Sequence, residues 1–274
     1  MNFGDAPIQN DAVKALLTKA GMHPCRLRLA RFVTECTLMK AMLDNAFKAA
    51  MTNYPVLIRG ESGTGKELIA KAMLYDRPED QFFPVNCAGL PDTLFESILF
   101  GYRKGAFTGA TADKDGILTR AGTGVVFFDE VGELTLTQQA KLLRALQERR
   151  ILPVGALEEL PIACRFVFAT NRDLEQMIEN YIKSLPGLAF REDLFYRISA
   201  ITLATTPLRQ RPTDINPILK QLCEQQARKN PEQADLFDWA EVAADIPKIP
   251  ADLIQSRGNV RALENWLITT RIFS

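Results

Sequence analysis

Val56-Leu57-Ile58-Arg59-Gly60-Glu61-Ser62-Gly63-Thr64-Gly65-Lys66-Glu67 runs directly into Leu68-Ile69-Ala70-Lys71-Ala72-Met73-Leu74. A β-rich apolar run, a glycine-rich loop ending in lysine, and then a helical run is the context a phosphate-binding loop requires. Glycines permit backbone angles that turn several N–H groups onto one anion, and the following helix N-terminus adds a favourable dipole. Lys66 is the point charge for the β- and γ-phosphates. Glu67 stands where Ser or Thr usually gives a hydroxyl to Mg²⁺, so that ligand is expected from water or another residue.

Working outward, Val125-Val126-Phe127-Phe128 reads as a strand buried on both faces, and Asp129-Glu130 follow at its C-terminal end. Ligands of open α/β sheets bind outside the carboxyl ends of strands, so this pair suits a metal–nucleotide site. Asp129 is the expected Mg²⁺ ligand, and Glu130 the group that polarises an attacking water. Between the two motifs lies Gly105-Ala106-Phe107-Thr108-Gly109-Ala110. Two small-residue hinges flank a Phe-Thr pair, placed where a loop can report the state of a bound phosphate.

Strand-like runs at 56–59, 83–86, 125–128, 164–170 and 198–203 alternate with helical ones, which implies a parallel sheet covered by helices. Residues 37–50 read as an amphipathic helix with Leu38, Met39, Met42, Leu43 and Phe47 on one side. From Pro207 the character changes. Residues 215–228 are helical, 230–235 polar and 258–270 helical again, as expected of a lid. The organisation expected is a lead-in over 1–30, with a short helix at 12–20 and a basic stretch at 25–31. An α/β ATPase subdomain over 31–206 and a helical lid over 207–274 follow.

The chain has 274 residues, 47% of them hydrophobic and 24% charged, enough for a substantial core of ordinary composition. Lys plus Arg and Asp plus Glu number 33 each, so no overall basic field points to nucleic acid. Cys25, Cys36, Cys87, Cys164 and Cys223 are widely spaced with no CxxC, which favours reduced thiols and a cytoplasmic setting. The single histidine, His23, cannot build a metal site. No apolar stretch reaches membrane-spanning length.

From about residue 32 to 270 the chain resembles the AAA+ domain of bacterial enhancer-binding proteins, the ATPases that activate RNA polymerase carrying sigma-54. GESGTGKE, GAFTGA, FFDEVGEL, FATNRDL, FREDLFYRI and GNVRALEN occur in the family's order, and GAFTGA is the discriminating piece. The resemblance implies a strand order of 5-1-4-3-2 and a P-loop NTPase fold with a small C-terminal lid. It implies ATP and Mg²⁺ as cofactors and a homo-oligomeric, hexameric ring. It also implies sigma-54 as the partner of the 105–110 loop, with a second loop near 149–160 supporting that loop. Glu67 matches the family's own variant. Asn171 resembles sensor I, and Arg261 resembles sensor II. Arg191 and Arg197 resemble arginine fingers reaching into a neighbouring subunit. Asn86 is either the residue that holds Glu130 away from water or a strand-ending turn residue.

Three departures carry expectations of their own. Ile98, Tyr102 and Arg103 stand where the family commonly has Glu, His and Glu, which bears on coupling between hydrolysis and loop movement. Ser256-Arg257 replace Trp-Pro, and the segment before them reads as poor in apolar residues, so a weakly packed lid is expected. No helix-turn-helix pattern follows the lid before Ser274, so direct DNA binding is not expected of these residues. Two functions remain open on the sequence: a mechanochemical activator, and a module that binds ATP and a partner without activating transcription.

Overall fold

The structure is a computed structural model that describes residues 23–185 and 187–273. The helix expected at 12–20 lies outside them. Helices α1 (Pro24–Ala30) and α2 (Thr37–Ala50) precede strand β1 (Val56–Arg59), and α3 (Lys66–Ala72) follows it. Next come β2 (Phe82–Asn86), α4 (Asp92–Leu99), the short pair β3 (Gly101–Tyr102) and β4 (Lys114–Asp115), and α5 (Ile117–Arg120). β5 (Val125–Asp129) leads to α6 (Leu136–Glu148), the short pair β6 (Arg150–Ile151) and β7 (Leu160–Pro161), and then β8 (Arg165–Thr170). α7 (Leu174–Ile182), α8 (Glu192–Ile198) and β9 (Ile201–Ala204) complete this half.

The main sheet has the order β2-β5-β8-β1-β9, with every pairing parallel. Counting only these five strands along the chain and reading from the β9 edge, that is 5-1-4-3-2. Its strands are near-continuous apolar runs because both faces are covered. On one face Leu57, Val126, Phe128, Phe166 and Phe168 pack against α4, α6 and α7 residues such as Phe95, Leu142 and Met177. Val56, Ile58, Val125, Phe127, Val167 and Ala169 point to the other face and meet α1, α2 and α3. Leu38 is an exception to the expected apolar stripe of α2: it is exposed, and Ala46, Ala49 and Ala50 do the packing with Met39 and Met42. The fifth strand begins later than expected, since Ile198 closes α8 and two residues, Ser199 and Ala200, separate it from the strand start at Ile201.

The basic stretch at 25–31 forms α1 rather than a solvated arm. Cys25 and Leu29 enter the core beside α3, and the buried Arg28 donates to the carbonyls of Tyr75 at 2.8 Å and Arg77 at 2.6 Å. A second buried arginine, Arg165 at the start of β8, donates to Ala49 O at 2.8 Å, Ala50 O at 3.1 Å and Met73 O at 3.3 Å. It caps the C-terminal carbonyls of α2 and of the helix after the P-loop, groups that have no partner within their own helices. Burial pushes its guanidinium down to about 10. Arg165→Met is therefore expected to cost about 3 kcal/mol, because three buried carbonyls lose their donor at once. Urea unfolding midpoints check this, and an unchanged midpoint would show that those carbonyls find other partners.

The lid contains α9 (Ile215–Lys229), α10 (Trp239–Asp245), α11 (Ala251–Gln255) and α12 (Asn259–Phe273). The expectation of weak packing is corrected here. Leu208, Ile218, Leu219, Leu222, Phe237, Val242, Leu263 and Leu267 form a separate buried core. Trp239, Ile246, Ile249, Leu253 and Trp266 flank it, so the apolar residues exist but are spaced across short turns. No helix of the described residues is long and apolar enough to cross a membrane.

Candidate functional site

The P-loop joins β1 to α3, and Gly63 (φ 74°) and Gly65 (φ 99°) hold left-handed angles there. Space as well as angle requires them. A Cβ on Gly63 would lie 2.4 Å from the Gly258 carbonyl oxygen of the lid, and one on Gly65 would lie 2.4 Å from the Phe32 ring. Lys66 is almost wholly buried and donates to the carbonyls of Gly60 at 2.9 Å and Glu61 at 3.2 Å. Burial pushes its ammonium below the usual lysine range, opposed by the charges of Glu130 and Asp129. Thr64 is buried, bonding the carbonyl of Glu61 and, at 2.7 Å, the hydroxyl of Thr205. Glu67 ion-pairs with Lys71 on the next turn.

Asp129 ends β5, an inner strand of the sheet. Burial raises its carboxyl above the usual range, and the Glu130 charge adds to that. Glu130 sits in the left-handed region, φ 53° and ψ 49°, a conformation that costs a non-glycine residue energy and clusters at functional sites. Its carboxylate lies 3.7 Å from Lys66 Nζ and accepts the Asn171 backbone N–H at 3.2 Å. Asn171, at the end of β8, thus meets Glu130 through its main chain. Lys66, Asp129, Glu130 and Asn171 are brought together.

Asn86 is not joined to Glu130. Strand register sets it opposite Asp129, but its Oδ1 accepts from Ala88 N at 3.1 Å and caps the turn that follows. Of the two readings of Asn86, the geometry has the strand-ending one. Arg191 and Arg197 also lie apart from these residues. Arg191 forks onto Asp193 at 3.0 and 2.7 Å, and Arg197 donates to Leu146 O at 3.2 Å. Arg261 does reach the P-loop, donating to Ser62 Oγ at 2.9 Å.

A cleft of about 550 Å³ opens between P-loop and lid. Phe32, Val33, Ile218, Leu222 and Val260 supply apolar walls, while residues 62–67, Asp129, Glu130 and Arg261 supply the polar floor. That size and lining suit a small ligand with a flat apolar end and a charged end. Sequence reasoning missed several residues that shape it: Phe32 under the loop, Thr205 behind it, and Arg209 and Asn259 in the lid. Asn259 stands within GNVRALEN but beside Arg261, which draws the reading, and the other three lie outside the local spacing patterns, so that only the tertiary fold brings them in.

Gly105–Ala110 projects beyond the β3–β4 pair as a tight turn. The Gly105 N–H donates to Ala110 O at 2.9 Å, with Gly105 and Gly109 at φ 84° and 101°. Phe107 is 47% exposed, and its ring meets Tyr102 edge-on at 4.9 Å between centroids. Arg103, where the resembling family has a carboxylate, pairs with Asp115 at 3.2 Å and faces Asp113 at 3.9 Å. The second loop does lie beside the first: Arg103 N–H donates to Val154 O, Val154 N–H to Gly101 O, and Gly155 packs against Ala106.

A parallel sheet in the order 5-1-4-3-2, with a helical lid over a P-loop cleft, is the AAA+ fold. Within it, this chain belongs to the sigma-54 interaction domain family, which it matches over residues 32–204. It is 40% identical over 235 residues to regulatory protein AtoC of Escherichia coli K12, covering 85% of this chain and 48% of AtoC. It is 41% identical over 238 residues to the Nif-specific regulatory protein of Azotobacter vinelandii, covering 86% and 43%. The chain spans about half the length of these relatives. Among solved structures, NtrX from Brucella abortus in complex with ATP superposes with a TM-score of 0.70 at 28% identity, over 88% of this chain and 52% of that one. Hsp104 with ATPγS and casein, at 0.59 and 20% identity, shares the fold alone.

Proposed function

We propose that this chain is an ATP-hydrolysing ring protein of the cytoplasm. In this reading it remodels sigma-54 RNA polymerase holoenzyme through the Gly105–Ala110 loop and so activates transcription. The observation that carries the reading is the coexistence, in one chain, of an apolar-walled P-loop cleft with paired carboxylates and a half-exposed Phe107 on a hairpin directed outward. Family membership and an ATP-bound relative support it.

The residues present fit magnesium–ATP. Mg²⁺ is usually held by one or two carboxylates plus phosphate oxygens rather than by an all-protein cage. The described residues hold no cluster of three or more candidate ligands, but Asp129 and Glu130 stand together beside Lys66. Asp129 would hold the ion, which supplies charge neutralisation at the phosphates. Lys66 and the N–H groups of residues 62–67 would bind the phosphates, and Phe32 and Val33 border the apolar end. Glu130, on its left-handed turn beside Lys66, would polarise the attacking water and accept its proton.

The test is open-complex formation by sigma-54 polymerase on duplex and premelted promoters with this protein and ATP. Activity on both supports the activator. ATP-dependent binding to sigma-54 without opening on duplex DNA would favour the non-activating module instead. Phe107→Ala separates loop from chemistry. It is expected to leave ATP hydrolysis within about threefold while weakening sigma-54 capture roughly tenfold or more, because a buried Phe contributes on the order of 1.5–3 kcal/mol. Thr108→Ala should behave alike. Co-elution with sigma-54 in ADP and aluminium fluoride reads the result, and unchanged capture by both variants removes the loop from the contact.

A further inference from the structure

We infer that Glu61 is a positioning residue: through Arg209 and Asn259 it fixes the lid so that Arg261 lies against the P-loop. This rests on the reading that the cleft binds ATP. Glu61 belongs to the P-loop, yet it does not line the cleft; its carboxylate faces the lid. Arg209 grips it with two nitrogens at 2.7 Å each, the fork geometry that makes arginine–carboxylate pairs strong and directional. Asn259 Nδ2 adds a third donor at 3.1 Å and also reaches the carbonyls of Ser62 and Arg257 at 3.0 Å.

Asn259 is itself locked. It is buried, holds a left-handed φ of 51°, and accepts the Leu208 N–H on Oδ1 at 2.7 Å. It opens α12, two residues before Arg261. Between them, the Val260 N–H donates to Gly63 O at 3.2 Å. One carboxylate therefore joins the P-loop to two parts of the lid: the entry at residues 208–209 and the start of the helix that carries Arg261. The Arg209 guanidinium beside it holds the Glu61 carboxyl down to about 2, so the anchor is charged throughout the neutral range. The lid has its own buried core, so loss of Glu61 shifts where the lid sits rather than whether it folds.

The experiment compares wild type with Glu61→Gln, Arg209→Ala, Arg261→Ala and the double variant Glu61→Gln/Arg261→Ala. Amide exchange at Val260 in nucleotide-free protein should accelerate in Glu61→Gln and Arg209→Ala by about tenfold or more, the scale of one charge-assisted hydrogen bond. Thermal midpoints should move little. KM for ATP should rise in Glu61→Gln, and this rise should vanish when Arg261 is already alanine, because Glu61 acts through it. Unchanged exchange at Val260, or KM effects that multiply in the double variant, would overturn the inference. Wild type that fails to hydrolyse ATP would instead sink the proposed function, leaving the exchange result to decide the lid anchor alone.

Discussion

Glu130→Gln protein is expected to bind ATP about as tightly as wild type and to hydrolyse it at least about a hundredfold more slowly, the lower end of what a general base contributes. Glutamine keeps the length and an oxygen acceptor for the Asn171 N–H, so the strained turn at φ 53° keeps its hydrogen bond. What disappears is the negative charge beside the position a water would take. The neighbours compensate in a favourable direction for binding. The Glu130 charge raises the Asp129 carboxyl, so its removal lets Asp129 ionise more readily. Lys66 loses one supporting charge and retains the other. Affinity for a fluorescent ADP analogue and the rate of phosphate release separate the two effects. Equal turnover in wild type and variant would remove Glu130 from the chemistry.

The sheet was legible because each of its strands is short, apolar and bounded by a turn. Phe127, Phe128, Phe166 and Phe168 need burial on both faces, and only a covered parallel sheet gives it. The P-loop and the Asp129-Glu130 pair were legible because their chemistry is local in the chain. The start of β9 was not: residues 198–203 read Ile-Ser-Ala-Ile-Thr-Leu, a run that suits a strand, and whether Ile198 closes a helix or opens a strand is decided by its burial in the core shared with α6, a tertiary fact. The lid misled for a related reason. Between its two long helices, Phe237, Trp239, Val242, Ile246 and Ile249 sit on short elements where no long period can be read, yet they converge on the core of α9 and α12 in space. Asn86 and Arg103 show a different limit. A residue's type and place were visible, but its hydrogen-bond partner depends on which neighbour the fold delivers: Ala88 N for one, and Asp115 for the other.

Arg197→Ala and Lys66→Ala proteins are each expected to lose hydrolysis by about a thousandfold or more, and their mixture to regain part of it. Phosphoryl transfer spreads charge over the equatorial oxygens, and an arginine supplied from a neighbouring subunit contributes on the order of 10³–10⁵ in rate. The motivating geometry is the separation within one chain. Arg191 precedes α8 and Arg197 lies in its last turn; they bond to Asp193 and the carbonyl of Leu146, whereas Arg261 alone of the candidate arginines bonds the P-loop. Arg191 forks onto Asp193 and is partly exposed, and Arg197 is exposed. If both serve a second copy, a head-to-tail ring is required, because the finger surface and the cleft are different patches of the same molecule. In a ring mixed at equal parts, roughly a quarter of such interfaces would combine an intact Lys66 with an intact Arg197. Activity should therefore return to a fraction of wild type, rise with protein concentration, and fall when either variant is in large excess. Hydrolysis by a species that stays monomeric with ATP in sedimentation, at a rate independent of concentration, would place the needed cation within the chain. Arg261 would then be the residue to replace next.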